Sequence, residues 1–136
     1  MEKKTKISFV MPCYNDDRTL KIAVESILKQ DLKELEVIVV INGKDQDKSI
    51  KETNKIKDKR FQYFVLEEGN ACKARNYGAE HATGNYISFL PADAVLKPGQ
   101  ASIWCRWLDK HPEYAGLYAG YIFVDERKLL GEPEAP

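Results

Sequence analysis

An α/β fold built on a largely parallel sheet is what this sequence predicts, and three observations carry the prediction. Short apolar runs recur at 7–11, 37–41, 61–66 and 86–90, each of strand length. Segments with apolar residues at helical spacing separate them, the alternation that brings successive strands back parallel to one another. The run 37–41 is unbroken and wholly β-branched, as in a strand covered on both faces. At 136 residues the chain makes one domain, able to bury about 68% of its unfolded surface in a single core.

Each element follows in order. The first strand, 7–11, is stopped by Pro12, which cannot donate to a sheet ladder. Asn15, Asp16 and Asp17 offer helix-capping oxygens, with Asn15 read as a cap, and Leu20, Ala23, Val24, Ile27 and Leu28 recur at helical spacing up to Gln30. The strand 37–41 ends in the turn Asn42-Gly43. Residues 49–59 are mostly lysine and polar, with Ile50 and Ile56 as apolar anchors of a solvated outer helix. Strand character returns at 61–66, a helix covers 71–82, and Thr83-Gly84-Asn85 turns the chain into the strand 86–90. After Lys97-Pro98-Gly99 a helix places Ile103, Trp104, Trp107 and Leu108 on one face. Residues 114–124, rich in aromatics, are expected to return to the sheet. The domain is taken as 1–130 and the polar, proline-bearing 131–136 as a tail.

Composition narrows the function. The chain has 21 basic and 21 acidic residues with no long block of one sign, which argues against nucleic acid as a partner. Cys13, Cys72 and Cys105 match neither a zinc site nor a disulfide framework, and a reducing cytoplasm is the expected location. The apolar stretch after the charged start is too short for a signal-peptide core, and 37–41 is far below a membrane span. A peripheral place at the inner face of a membrane stays open. No Gly-x-Gly-x-x-Gly follows a strand, and Gly43-Lys44-Asp45 lacks the rest of a phosphate loop, so dinucleotide oxidoreductases and phosphate-loop NTPases are poor readings.

The chemical centre is the end of the strand 86–90, where Pro91-Ala92-Asp93-Ala94 holds a lone carboxylate at the edge of the sheet. Ligands collect at the carboxyl ends of parallel strands, and an acid there can hold a hard cation against a phosphate. Arg75-Asn76-Tyr77-Gly78, then Ala82-Thr83-Gly84-Asn85-Tyr86-Ile87, then Phe89-Leu90-Pro91-Ala92-Asp93 resembles the core signature of family 2 glycosyltransferases. Pro12-Cys13-Tyr14-Asn15, the helix residues Glu25-Ser26-Ile27-Leu28-Lys29-Gln30 and the strand before Asn42-Gly43 resemble the family in order and spacing, over roughly 6–127.

The resemblance implies a Rossmann-like GT-A fold and transfer of a sugar from a nucleoside diphosphate, expected to be a UDP-sugar, with inversion. It implies nucleotide-sugar contacts for Pro12, Tyr14, Asn42, Arg75, Ala92 and Asp93, with Asp93 as ligand of a Mn²⁺ or Mg²⁺ ion. The acceptor it implies is a glycan, a lipid-linked molecule or a protein, within polysaccharide or cell-envelope glycan synthesis. Family members continue into a half that binds the acceptor and supplies the catalytic base, so this chain is expected to be the truncated nucleotide-binding portion. Its sequence departs from the family at Ile41, Pro91 and Ala94, where acids are frequent. Those departures motivate the competing reading, a catalytically weak or inactive nucleotide-binding module.

Alternatives stand beside each assignment. Tyr14 either lies beside a nucleobase or packs the sheet edge. Asn42 either accepts hydrogen bonds from base or ribose or is a bare turn residue. Arg75, favoured over Lys73, either cradles a diphosphate at a helix start or is solvated charge. Asp93 is either a cation ligand or a cap or turn acid. Cys13 reads as a buried filler, and His81 and His111 as incidental. Trp104 and Trp107 read as core or interface, with self-association through an exposed edge left open.

Overall fold

A computed structural model describes residues 5–131, so the expected tail beyond Gly131 lies outside the described residues. Four parallel strands form one sheet in the order β3-β2-β1-β4, with β1 at Ile7–Cys13, β2 at Leu35–Asn42, β3 at Phe61–Leu66 and β4 at Tyr86–Phe89. The helices are α1 at Asp17–Leu28, α2 at Asp47–Asn54, α3 at Ala71–His81, α4 at Gln100–Lys110 and a short α5 at Glu126–Leu130. The expected α/β class is what the structure shows. No described helix is long and apolar enough to cross a membrane.

Strand β2 is the most deeply enclosed element. Its alternate residues divide between two cores, Val37, Val39 and Ile41 facing α1 and α4, Ile38 and Val40 facing α3. On the first face Leu20, Ala23, Val24 and Ile27 of α1 meet Phe9, Met11 and Cys13, and Ile50 and Ile56 anchor the α2 segment as the sequence suggests. On the second face α3 lies so close that a Cβ at Gly78 would come within 2.4 Å of the Val10 side chain. Glycine at that position is what lets the helix touch the sheet.

Several boundaries depart from expectation, each for a physical reason. Pro12 does not stop the first strand; it sits inside β1, paired opposite Val40. The carbonyl of Val10 accepts from Leu90 N–H on the β4 side at 3.1 Å, so two residues later the missing N–H of Pro12 points to that side, past the last β4 pair Val10 with Phe89. The first helix ends at Leu28 rather than Gln30. Gln30 is instead fully buried, donating to the carbonyls of Ser26 at 3.1 Å and Lys97 at 2.9 Å and accepting from Ala101 N–H at 3.2 Å, which pins the start of α4. α2 ends at Asn54, short of the expected 59.

Two expectations fail after β4. In α4 the buried residues are Ala101 and Cys105, with Trp104 packed against the core, while Ile103 and Trp107 face solvent. Small side chains at the contact let the helix approach, so bulk turns outward. The expected strand at 114–124 does not form; Tyr118 is 99% exposed and Phe123 92%. β-propensity realises a strand only where a neighbouring edge receives it, and none does here among the described residues.

Candidate functional site

Because all four strands are parallel, their carboxyl ends open on one rim. Tyr14 and Asp93 each lie four residues beyond the paired Val10 and Phe89, and Asn42 is the last residue of β2. The structure therefore brings the loops bearing Tyr14, Asn42 and Asp93 to the same end of the sheet.

Asn42 is buried and donates through Nδ2 to the carbonyl of Cys13 at 3.1 Å. A carbonyl only accepts, so the amide orientation is fixed by its partner and Oδ1 is the group left to accept from a ligand. The Cys13 thiol donates to Ser49 Oγ at 3.8 Å, and burial pushes its pKa up to about 11. Cys13 is thus a buried filler, as its surroundings in the sequence suggest, and its backbone ties β1 to β2.

Tyr14 is 56% exposed, so the expectation that it simply packs the sheet edge accounts for only part of its surface. Its ring lies against Gly43, where φ is +101° and an added Cβ would fall 2.6 Å from Tyr14 Cε2. Gly69, after β3, lies beside the same pair. Glycine is required at 43 both for its backbone angle and for the ring's approach.

Asn15 is not a helix cap. It adopts left-handed φ of 55°, its N–H donates to Gln46 Oε1 at 3.1 Å, and its Oδ1 accepts from Gln46 Nε2 at 2.8 Å. Asp16 takes the N-cap position of α1 without a side-chain capping bond, its Oδ2 lying 3.4 Å from Tyr14 N–H. Nothing local marked Gln46 as buried, since a glutamine in a polar turn reads as solvated; its partner is 31 residues away.

The loop after β4 is tied to the same rim. Thr19 Oγ1 donates to the Ala92 carbonyl at 2.9 Å, and Ala92 is buried while Asp93 is exposed. Asp93 does not cap α4, whose N-cap is Gly99. Burial, opposed by the Tyr14 N–H and reinforced by the negative charges of Asp93, Asp17 and Glu126, holds the Asp16 carboxyl above its ordinary value. Pro12 lies half-buried at the end of β1.

Arg75 lies in the second turn of α3, the helix that begins shortly after the carboxyl end of β3. It is exposed on α3 and makes no hydrogen bond or ion pair among the described residues. Lys73, its rival, is engaged by Glu68 at 2.7 Å, and Asn70 caps the helix by accepting from Lys73 N–H. Two surface grooves are present as well. One of about 580 Å³ sits at the opposite end of the sheet, lined by Lys6, Cys105, Arg106 and Asp109 among others. The second, of about 420 Å³, lies between β3 and α3 and reaches the rim, where Leu66, Glu67 and Glu68 at the carboxyl end of β3 line it.

Comparison with known proteins places this geometry. The sequence model described as glycosyl transferase family 2 matches residues 8–132. An uncharacterized glycosyltransferase of Rickettsia felis is 32% identical over 90% of this chain and 20% of its own length. The GalNAc(5)-diNAcBac-PP-undecaprenol beta-1,3-glucosyltransferase of Campylobacter jejuni is 34% identical over 93% of this chain and 41% of its own. Among solved structures, S. aureus TarS 1-349 in complex with UDP superposes with a TM-score of 0.66 at 28% identity, covering 79% of this chain and 33% of that one. The same protein with UDP-GlcNAc gives 0.67. The chain spans only about 20% of the length of the first of these relatives. With a matched family model over nearly its whole length and the parallel sheet of GT-A enzymes beneath it, this chain belongs to glycosyl transferase family 2.

Proposed function

We propose that the rim binds a nucleoside-diphosphate sugar, with a UDP-sugar as donor, and that the chain forms the donor-binding part of an inverting glycosyltransferase. The observation that carries this reading is the convergence of Tyr14, Asn42 and the Ala92-Asp93 loop on one end of the sheet. In it, the exposed face of the Tyr14 ring offers stacking surface for the base, and Asn42 Oδ1 accepts from the base imide or a ribose hydroxyl. TarS, a structural relative, has been solved with UDP and with UDP-GlcNAc. The acceptor is proposed to be a glycan, lipid-linked molecule or protein of the cell envelope.

The electrostatics of the rim bear on the cation expected from the family. Asp16 feels the charge of Asp93, Asp17 and Glu126, of which Glu126 is paired with Arg18 at 3.7 Å, so the acids left at this end favour a diphosphate that arrives with a cation. Among the described residues no group of three or more acids, histidines or cysteines is arranged to hold a metal. Asp93, exposed at the end of the sheet, is the carboxylate that would hold a Mg²⁺ or Mn²⁺ ion beside the diphosphate in a one-carboxylate mode. Bound that way, the ion would supply charge neutralisation for the departing diphosphate. The chain's own part is to hold base, ribose and diphosphate in line along the rim, presenting the sugar to an acceptor.

A second reading, a nucleotide-binding module of weak or no activity, has one observation in its favour: Ile41, at a frequent acid position, is fully buried in the main core. Titration of UDP with and without Mn²⁺ separates the two. The transferase reading expects binding strengthened by Mn²⁺ and an enhancement lost in Asp93→Ala; binding indifferent to both favours the module.

A further inference from the structure

We propose that Gln46 is a positioning residue for nucleobase recognition, its carboxamide locking the loop after β1 to the loop after β2 and so setting where the Tyr14 ring stands. The inference rests on the nucleotide-sugar reading of the rim.

Gln46 occupies the N-cap position of α2 yet makes no capping bond there, a place where short side chains serve better. Its carboxamide turns the other way. Oε1 accepts from Asn15 N–H at 3.1 Å, and Nε2 donates to Asn15 Oδ1 at 2.8 Å and to the Lys44 carbonyl at 3.2 Å. Every polar atom of the group has a partner of the right sense, which fixes its orientation, and the residue is buried.

The consequence falls on Tyr14. Asn15 is held in left-handed φ of 55° by this pair of bonds, and Tyr14 is its immediate neighbour. Gln46 Nε2 lies 3.8 Å from the point where a Gly43 Cβ would stand, the same point that the Tyr14 ring approaches to 2.6 Å. Ring, glycine and carboxamide therefore share one spot. Without the clamp, Asn15 is free to leave the left-handed region, and the half-exposed ring leaves its glycine seat with it. Gln46 touches no ligand in this scheme; it acts through Tyr14.

The test is calorimetric titration of the full chain with UDP and, separately, with inorganic pyrophosphate, both with Mn²⁺ present. Gln46→Ala is expected to weaken UDP binding about fivefold and leave pyrophosphate binding unchanged. In a Tyr14→Ala background the same substitution is expected to have no further effect on UDP, because the residue it acts through is gone. Asn15→Gly, which keeps the N–H donated to Gln46 Oε1 and tolerates the φ of 55° but removes the Oδ1 partner of Nε2, should show a smaller loss and carries the test should Gln46→Ala fail to fold. Unchanged UDP affinity, an equal loss for pyrophosphate, or an undiminished loss in the Tyr14→Ala background would each overturn the inference alone. Failure of the unaltered chain to bind UDP would overturn the nucleotide reading and this inference with it.

Discussion

The two ends of the sheet are built on opposite electrostatic terms. At the amino ends of the strands, Asp109 receives both Lys6 Nζ, at 2.7 and 2.8 Å, and the Tyr86 hydroxyl, at 2.6 Å. Those bonds, Lys6 first, hold the Asp109 carboxyl below its ordinary value, and the bond to Asp109 pushes Tyr86 up to about 12. At the carboxyl rim the Asp16 carboxyl is half-buried, and that burial, with the negative charges of Asp93, Asp17 and the Arg18-paired Glu126 added, holds it above its ordinary value. One end is satisfied and the other is frustrated, although the larger groove lies at the satisfied end.

The sharpest way to break this contrast is at Gly43. Gly43→Ala forces a side chain into φ of +101° and against the Tyr14 ring, so thermal denaturation should show a loss of about 1–3 kcal/mol together with abolished UDP binding. A variant that retains both stability and binding would show that the rim's glycine seat is unnecessary.

Next in size is Tyr14→Ala. It removes a half-exposed ring whose packing is confined largely to the rim, so stability should change little while UDP affinity falls about tenfold, equivalent to about 1.4 kcal/mol. A change in melting temperature without a change in affinity would return Tyr14 to the sheet-edge role.

Smaller effects test the opposite signs of the two ends. A carboxyl held above its unfolded value keeps its proton longer in the fold, so Asp16 costs stability once pH has risen from 3.8 through its folded value. Asp16→Asn should therefore raise the melting temperature at about pH 7 and leave it unchanged below about pH 3. Asp109 runs the other way, contributing above 3.8 and losing that contribution as pH falls through its lowered folded value. Asp109→Asn should lower the melting temperature at neutral pH, with a difference that closes on acidification. Two shifts of the same sign would end the comparison.

The smallest effect is spectroscopic. Ultraviolet titration of the phenols should find the Tyr86 ionisation delayed to about 12, and Lys6→Met, which leaves the Tyr86 to Asp109 bond in place, should not abolish that delay. Titration of Tyr86 with the bulk of the tyrosines would show that the hydroxyl does not donate to Asp109.

Local pattern in the sequence was enough for the alternation of strands and helices, the twofold burial of β2, the helix at Ala71–His81 and the placing of Asp93 at a strand end. These follow from side-chain periodicity and turn chemistry within a few residues, which any stretch of chain carries with it. Only the tertiary structure decided that Pro12 lies inside a strand, that Asn15 is held by Gln46 instead of capping a helix, that Gln30 pins the start of α4, and that 114–124 stays out of the sheet. Each of those depends on a partner far away in sequence: a neighbouring strand that ends early, a carboxamide 31 residues on, a loop 67 residues on, a sheet edge that does not receive the segment. A hydrogen bond or strand pairing is a property of two places at once, so a rim assembled from three loops becomes visible only when the sheet has brought those loops together.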